Sequence, residues 1–411
     1  MGVRADQTTK EYGKKMTTAK TLFLHIILLL MPLGASASTA TEPLSGDSDG
    51  GLRASLMVVS PGPRLYQSLG HCALRLVSEE HQLDYCFTFE ADADGTVADY
   101  VRFFAGRCQA RWVAVPTAQY IADYGREQRS LTAYALPLAD DQIRHLWQRL
   151  DEAVTSRQTH PFNFIDSNCA QGVAQMLAPY ITLHEQQWMA AMDNGLLARH
   201  ALSHAPWMQF LVVTLMGTEA DGHWTVLMRT TPGLLPQMLG LNNKSSVSNG
   251  YTILTSAGEP LGIFTPTVVF SLLLLLCTAA TVLDWRGHCQ RLTRSLDALL
   301  FAAQAAAFLL LLWLTQVSGI FASAPNLYLL PLAPAPLLIT ALCRLSPRRD
   351  RPSVMTTTRQ AFTVYTLALA AFIAATPLSS QLDLSHQLAT AALAVRSLSY
   401  TMFIYPQTHT A

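Results

Sequence analysis

From Gly262 onward the chain is a succession of long apolar stretches, and this feature limits most strongly what it can fold into. About 20 apolar residues suffice to cross the hydrocarbon core of a bilayer. Five stretches approach or exceed that length, at 263–283, 296–320, 327–345, 361–375 and 388–405, the fourth being the shortest. The segments between them are unequally charged. Arg286, Arg291 and Arg294 follow the first stretch, and Arg344, Arg348, Arg349, Arg351 and Arg359 follow the third, whereas the second and fourth are followed by almost no basic residues. Basic loops stay on the cytoplasmic side, so the domain that precedes the first stretch, residues 52–260, is expected outside the cytoplasm. Arg396 lies inside the fifth stretch, where a cation needs a partner: a tertiary salt bridge, an interface reached by snorkelling, or a lipid headgroup.

The N-terminal segment supports the same orientation. Lys14, Lys15 and Lys20 precede an apolar run at 21–33, and Gly34-Ala35-Ser36-Ala37-Ser38 follows, the order of a secretory signal. Residues 1–38 are read as a signal peptide, cleaved near Ala37 or retained as an anchor. Residues 39–52 form a linker rich in Ser, Gly and Asp, 53–260 a domain outside the cytoplasm, and 261–411 the transmembrane part. The 28 basic and 28 acidic side chains cancel, which argues against nucleic acid as a partner.

Within 53–260 the first half is strand-like, with runs at 54–59, 73–77, 83–89 and 110–115 separated by turn residues. The second half turns helical. Ile143, Leu146, Leu150 and Val154 recur at helical spacing, and a further helix is predicted over 169–177 after a polar cap. Of the seven cysteines, Cys277 and Cys343 lie in apolar stretches and Cys289 in a cytoplasmic loop. Cys72, Cys86, Cys108 and Cys169 face an oxidising compartment, where spare thiols tend to pair. Cys86 and Cys108 flank neighbouring strands and are the candidate disulfide.

Cys169 stands where a polar loop becomes an apolar-periodic helix. Free N–H groups and the positive end of the helix dipole stabilise a thiolate there, and the same groups can hold the oxyanion of a tetrahedral acyl intermediate. A thiolate nucleophile needs a base. His71, in Gly70-His71-Cys72-Ala73-Leu74-Arg75, opens a strand-like run after a turn and is the candidate. Taken singly, each residue has an ordinary explanation, packing or a disulfide for the cysteine and a satisfied surface or core position for the histidine.

Several segments carry a resemblance. Ser60-Pro61-Gly62, Gly70-His71 with Leu74-Arg75, Phe103-Phe104-Ala105-Gly106, Asn168-Cys169-Ala170, Pro206-Trp207, and Leu215-Met216-Gly217 followed by Asp221 occur in the order of the Lnb family, lipoprotein N-acyltransferases of bacteria with two membranes. Pro325-Asn326-Leu327-Tyr328-Leu329-Leu330-Pro331-Leu332 is similar to the segment by which that family enters a transmembrane helix. The chain departs from the family pattern at Asp84-Tyr85-Cys86-Phe87, which lacks a Tyr-Gly pair, and before Asn326, where a histidine is missing.

The resemblance implies an α+β, permuted papain-like (NlpC-like) periplasmic domain followed by an α-helical membrane domain of about five transmembrane helices. It implies Cys169 as nucleophile and His71 as base, with an orienting group among Asp84, His81 and Glu90. Asn168, Arg75, Asn326 and Arg396 are candidates for contacts to the substrate or oxyanion; for Asn326, helix capping at the membrane edge is the alternative. The donor would be a phospholipid of the inner membrane and the acceptor the N-terminal amine of a diacylated lipoprotein, with neither metal nor organic cofactor. Two rival readings are an NlpC-type cysteine peptidase or amidase of the cell envelope and a non-enzymatic envelope scaffold with a structural Cys169.

Overall fold

The structure, a computed structural model, describes residues 51–92, 96–163, 167–241, 250–256, 262–317, 325–345 and 351–402. The expected signal segment, the linker up to residue 50, and Arg348 and Arg349 lie outside these residues.

Alternating polarity builds the first part. β1 (Leu52–Val59), β2 (His71–Ser78) and β3 (Leu83–Ala91) form an antiparallel meander. After α1 (Val97–Phe104) come β4 (Gln109–Pro116), α2 (Thr117–Arg126), β5 (Leu131–Ala135), α3 (Asp140–Ser156) and the short β6 (His160–Pro161). Then follow α4 (Cys169–Leu177), the single turn α5 (Gln187–Ala190), α6 (Asn194–Ala201), α7 (Pro206–Met216), α8 (Leu235–Met238) and β7 (Tyr251–Leu254). The strands make one antiparallel sheet in the order β6-β4-β3-β2-β1-β5-β7.

Because strand side chains alternate between faces, the sheet has two apolar sides. Leu56, Leu74, Leu76, Phe87 and Phe89 meet Ile143, Leu146 and Leu150 of α3 and Val173 and Leu177 of α4. Met57, Val59, Ala73 and Cys86 meet Tyr120 of α2 on the other side. Each fully buried Leu or Phe here contributes about 1.5–3 kcal/mol.

The Cys86–Cys108 disulfide expected from sequence is not formed, and both thiols are free. Cys86 pairs across the ladder with Val115, seven positions along β4 from Cys108. At about 3.3 Å per residue this places the two cysteines about 20 Å apart, whereas a disulfide needs Cα atoms within about 7 Å.

The second part is helical: α9 (Pro266–Trp285), α10 (Gln290–Val317), α11 (Leu329–Leu332), α12 (Ala335–Leu345), α13 (Arg351–Ala375) and α14 (Leu384–Met402). Among the described residues three segments are long and apolar enough to span a bilayer, Pro266–Trp285, Gln290–Gln316 and Thr356–Leu378. The third predicted span is divided between α11 and α12. Pro331, Pro334 and Pro336 remove backbone donors there, so carbonyls are left without helical partners. Gln304 of α10 compensates, its Nε2 donating to Pro331 O and Ala333 O, both at 2.9 Å, while Tyr365 Oη donates to Pro331 O at 3.1 Å. α14 packs against both α9 and α13.

Polar groups join the two parts. α7 packs on α9 and α10. Asn326 Nδ2 donates to Thr214 O at 2.6 Å, and Gln381 Nε2 donates to Asn326 Oδ1 at 2.7 Å and to Thr214 O at 3.3 Å. Thr214 Oγ1 also meets His386 Nε2 at 2.8 Å, and Phe210 stacks on the His386 ring. Asn326, Gln381 and His386 are all buried, so parting the two regions would strip partners from groups that water does not reach.

Candidate active site

His71 owes its position to the residue before it. Gly70 has a left-handed backbone (φ +83°), and a Cβ there would stand 2.6 Å from Val59 O. Only glycine lets β2 begin so close to the end of β1. The β2–β3 ladder starts at Ala73↔Thr88, whereas β3 continues alongside β4 as far as Ala91↔Ala110. The two strands therefore part at His71 and Cys72, and the sheet opens there.

The first residue of α4 occupies that opening. Asn168 caps the helix, its side chain accepting from Gln171 N at 3.1 Å while Asn168 N donates to Gln171 Oε1 at 3.0 Å. This reciprocal cap fixes the first turn. Gly172, one turn on, lies against Phe89, where a Cβ would come within 3.0 Å of the ring. The helix thus sits close enough to the sheet for Cys169 to reach the strands.

The electrostatics favour an ion pair. The Cys169 thiol lies well below its ordinary value, chiefly because the Cys72 thiol hydrogen-bonds to it; burial opposes this, and His71 and the Cys72 backbone N–H reinforce it. Burial pushes the Cys72 thiol well up, and its link to Cys169 adds to the effect, so Cys72 keeps its proton and donates. For His71, burial disfavours the charged ring, but the Cys169 thiolate and Glu90 outweigh it and raise the imidazole above its ordinary value. Thr88 Oγ1 lies 2.6 Å from His71 Nε2, which leaves Nδ1 as the nitrogen to exchange a proton with the thiol.

A cavity of about 250 Å³ has both His71 and Cys169 in its wall, with Asn168, Tyr100, Phe103 and Arg129 among its other linings. Arg129 is buried, donating from Nε to Ser60 O at 2.8 Å and from Nη1 to Glu127 at 3.1 Å, with its guanidinium over the Tyr124 ring. It supports the cavity floor.

The remaining sequence candidates fall in different places. Glu90 Oε1 is 4.0 Å from His71 Nε2. Asp84 is held by Arg75 through two bonds of 2.9 and 2.8 Å and by Thr117 at 2.5 Å, and its carboxyl lies below the ordinary carboxylate value: burial opposes that, but the bonds to Arg75 and Thr117 prevail. Asp84 and Arg75 form a pair away from the cavity. His81 bonds Ser78 at 3.1 Å in the β2–β3 turn. Asn326 belongs to the junction with α7. Arg396 is fully buried, bonding Asp297 at 2.6 and 2.7 Å, Asp284 at 2.9 Å and Thr281 at 2.9 Å. Those bonds occupy Nε, Nη1 and Nη2, so its partners are protein side chains.

Two neighbours of the pair were not among the sequence candidates, Thr88 and, in this role, Cys72. Hairpin register held the signal for Thr88: a turn at Glu79–Gln82 pairs Ser78 with Leu83 and hence Ala73 with Thr88, one pleat from His71.

Fold and site together define a membrane protein carrying a thiol–imidazole pair in a domain beside its bilayer helices. Residues 50–195 match the Lnb N-terminal periplasmic domain and residues 258–408 match the Lnb transmembrane domain. The chain belongs to the Lnb family, and its sheet-bearing part is the family's periplasmic domain. No curated protein and no solved structure matches it.

Proposed function

We propose that this protein is a lipoprotein N-acyltransferase of the inner membrane, with Cys169 as nucleophile and His71 as its proton partner. One observation carries the reading: a cysteine whose thiol is held below its ordinary value lies with a histidine in the wall of one cavity, in a chain that also has helices able to span a bilayer. In the first step Cys169 Sγ attacks an ester carbonyl of a phospholipid. The S–C bond forms, the ester C–O bond breaks, and the lysophospholipid oxygen takes the proton from His71. In the second step the N-terminal amine of a diacylated lipoprotein attacks the thioester. The N–C bond forms, the C–S bond breaks, and the amine proton returns to His71 with the thiolate restored. The Cys72 N–H, already directed at the sulfur, is a candidate oxyanion donor.

The permuted papain-like class and five membrane crossings fit this reading: His71 precedes Cys169 along the chain, and α11 with α12 completes a crossing that neither makes alone. So does a division into a signal segment at 1–38, a linker at 39–52, a periplasmic catalytic domain at 53–260 and a membrane domain at 261–411. Mass spectrometry of lipoprotein N-termini tests the function. Cells relying on Cys169→Ala or His71→Ala are expected to contain only diacylated product, with the double variant no worse than either single one. Triacylated product at wild-type level in either variant would remove the mechanism. Purified protein given acyl-labelled phospholipid is expected to gain a label that hydroxylamine releases. Free fatty acid as the sole product, with acceptor supplied, would mark a hydrolase instead.

A further inference from the structure

Beside the reaction cavity lies a second pocket of about 90 Å³, and Leu69 and Phe103 line both. Ala198 and Ala201 of α6 and Met208, Leu211 and Leu215 of α7 form much of its wall. The polar residues at its margin are engaged elsewhere. Arg229 donates to Glu185, Met189 O and Met192 O, and the Asn194 side chain bonds Glu219 O and Trp224 N. These bonds occupy most of the polar wall, with Arg229 Nε as a buried atom that has no partner among the described residues, so the lining that remains for a ligand is mainly apolar. On its other side Phe104, Leu211 and Leu215 pack with Leu311 and Leu314 of α10 and Phe372 of α13. The pocket thus adjoins the cavity of Cys169 at one end and the apolar surfaces of bilayer-length helices at the other.

We propose that this pocket holds the fatty acyl chain while its carbonyl is at Cys169, with Leu69 and Phe103 as the passage between the two chambers. The proposal rests on the acyltransferase reading and deepens it. A chain drawn from the bilayer to a nucleophile outside it would otherwise leave its methylenes in water, and each methylene kept out of water favours the bound state. The pocket supplies that cover where the reaction needs it, and its narrowness makes it a measure of chain length.

Two experiments test this, one of them independent of chemistry. Cys169→Ala protein in lipid nanodiscs is given a phosphatidylethanolamine with a photoactivatable diazirine at the end of a palmitoyl chain. Cross-links are expected on 197–215 and are expected to be lost when Ala201→Trp is added. Cross-links only on outward residues of the membrane helices, such as Leu275 and Val364, would overturn the proposal. In the second experiment thioester formation is compared with palmitoyl and octanoyl donors. Ala201→Trp is expected to slow the palmitoyl reaction about tenfold, the effect of displacing two buried methylenes, with the octanoyl reaction unchanged. Met208→Ala, which enlarges the pocket, is expected to favour the longer donor. Equal rates with both donors in all three proteins would overturn the proposal. Cross-links on 197–215 together with no thioester from either donor would support the chain pocket and instead refute the acyltransferase reading.

Discussion

Thr88 Oγ1 stands 2.6 Å from Nε2 of His71, so the imidazole is fixed by a hydroxyl on the next strand. Thr88 is fully buried, and Thr88→Val keeps its shape while removing the bond. Thioester formation should then fall about 10- to 100-fold, less than the roughly 10²- to 10⁴-fold of losing an acid–base group outright, with KM little changed. Thr88→Ser should restore most of the rate. A Thr88→Val protein with wild-type kcat would show that the bond does not orient His71.

Glu90 contributes differently, through charge at 4.0 Å. The proposed mechanism needs Cys169 ionised and His71 protonated, so activity should be lost on the alkaline side as His71 gives up its proton. Glu90 raises the His71 value, and Glu90→Gln should therefore move the alkaline limb of the rate profile to lower pH. An unmoved limb would remove Glu90 from the site's electrostatics.

On the acid side the limb belongs to Cys169, whose value is lowered most by the Cys72 thiol. Cys72→Ala should raise that limb. Alkylation of Cys169 by iodoacetamide at pH 6 should slow about tenfold, since the reagent reacts with the thiolate. Alkylation as fast as in wild type would assign the lowering to His71 alone.

Gly70→Ala sets a Cβ against Val59 O at a left-handed backbone position. The expected cost is about 1–3 kcal/mol, seen as a lower Tm of the purified protein in detergent, with activity lost through displacement of His71. An unchanged Tm would mean that β2 can start without this constraint.

The sequence carried much of this organisation. Runs predicted at 54–59, 73–77, 83–89 and 110–115 lie inside β1 to β4, and the predicted start at Cys169 is the start of α4. These elements are strongly periodic or clearly capped, so local chemistry decides them. α1 and α2 were missed, since each is short and mixes apolar with polar residues, Val, Tyr and Phe in α1 and Tyr and Ile in α2, and β5 and β7 join the sheet only through distant pairing. The Cys86–Cys108 expectation failed because being near neighbouring strands says nothing of position along them. Cys72 was legible as a cysteine but not as a donor to Cys169, because the parting of β2 from β3 is a property of the whole sheet.

The buried Arg396 and its two aspartates bear on how the protein is made. Asp284 lies at the end of α9 and Asp297 near the start of α10, and Arg396 belongs to α14, which leaves the ribosome after both. Inserted alone, α14 would carry a bare cation toward hydrocarbon, a cost of about 2.5–3.5 kcal/mol for an Arg at a helix centre. α9 and α10 carry the acidic pair that receives this cation. Stable insertion of α14 is thus tied to helix assembly: the charge that makes it a poor span alone is balanced only once it docks against α9 and α10.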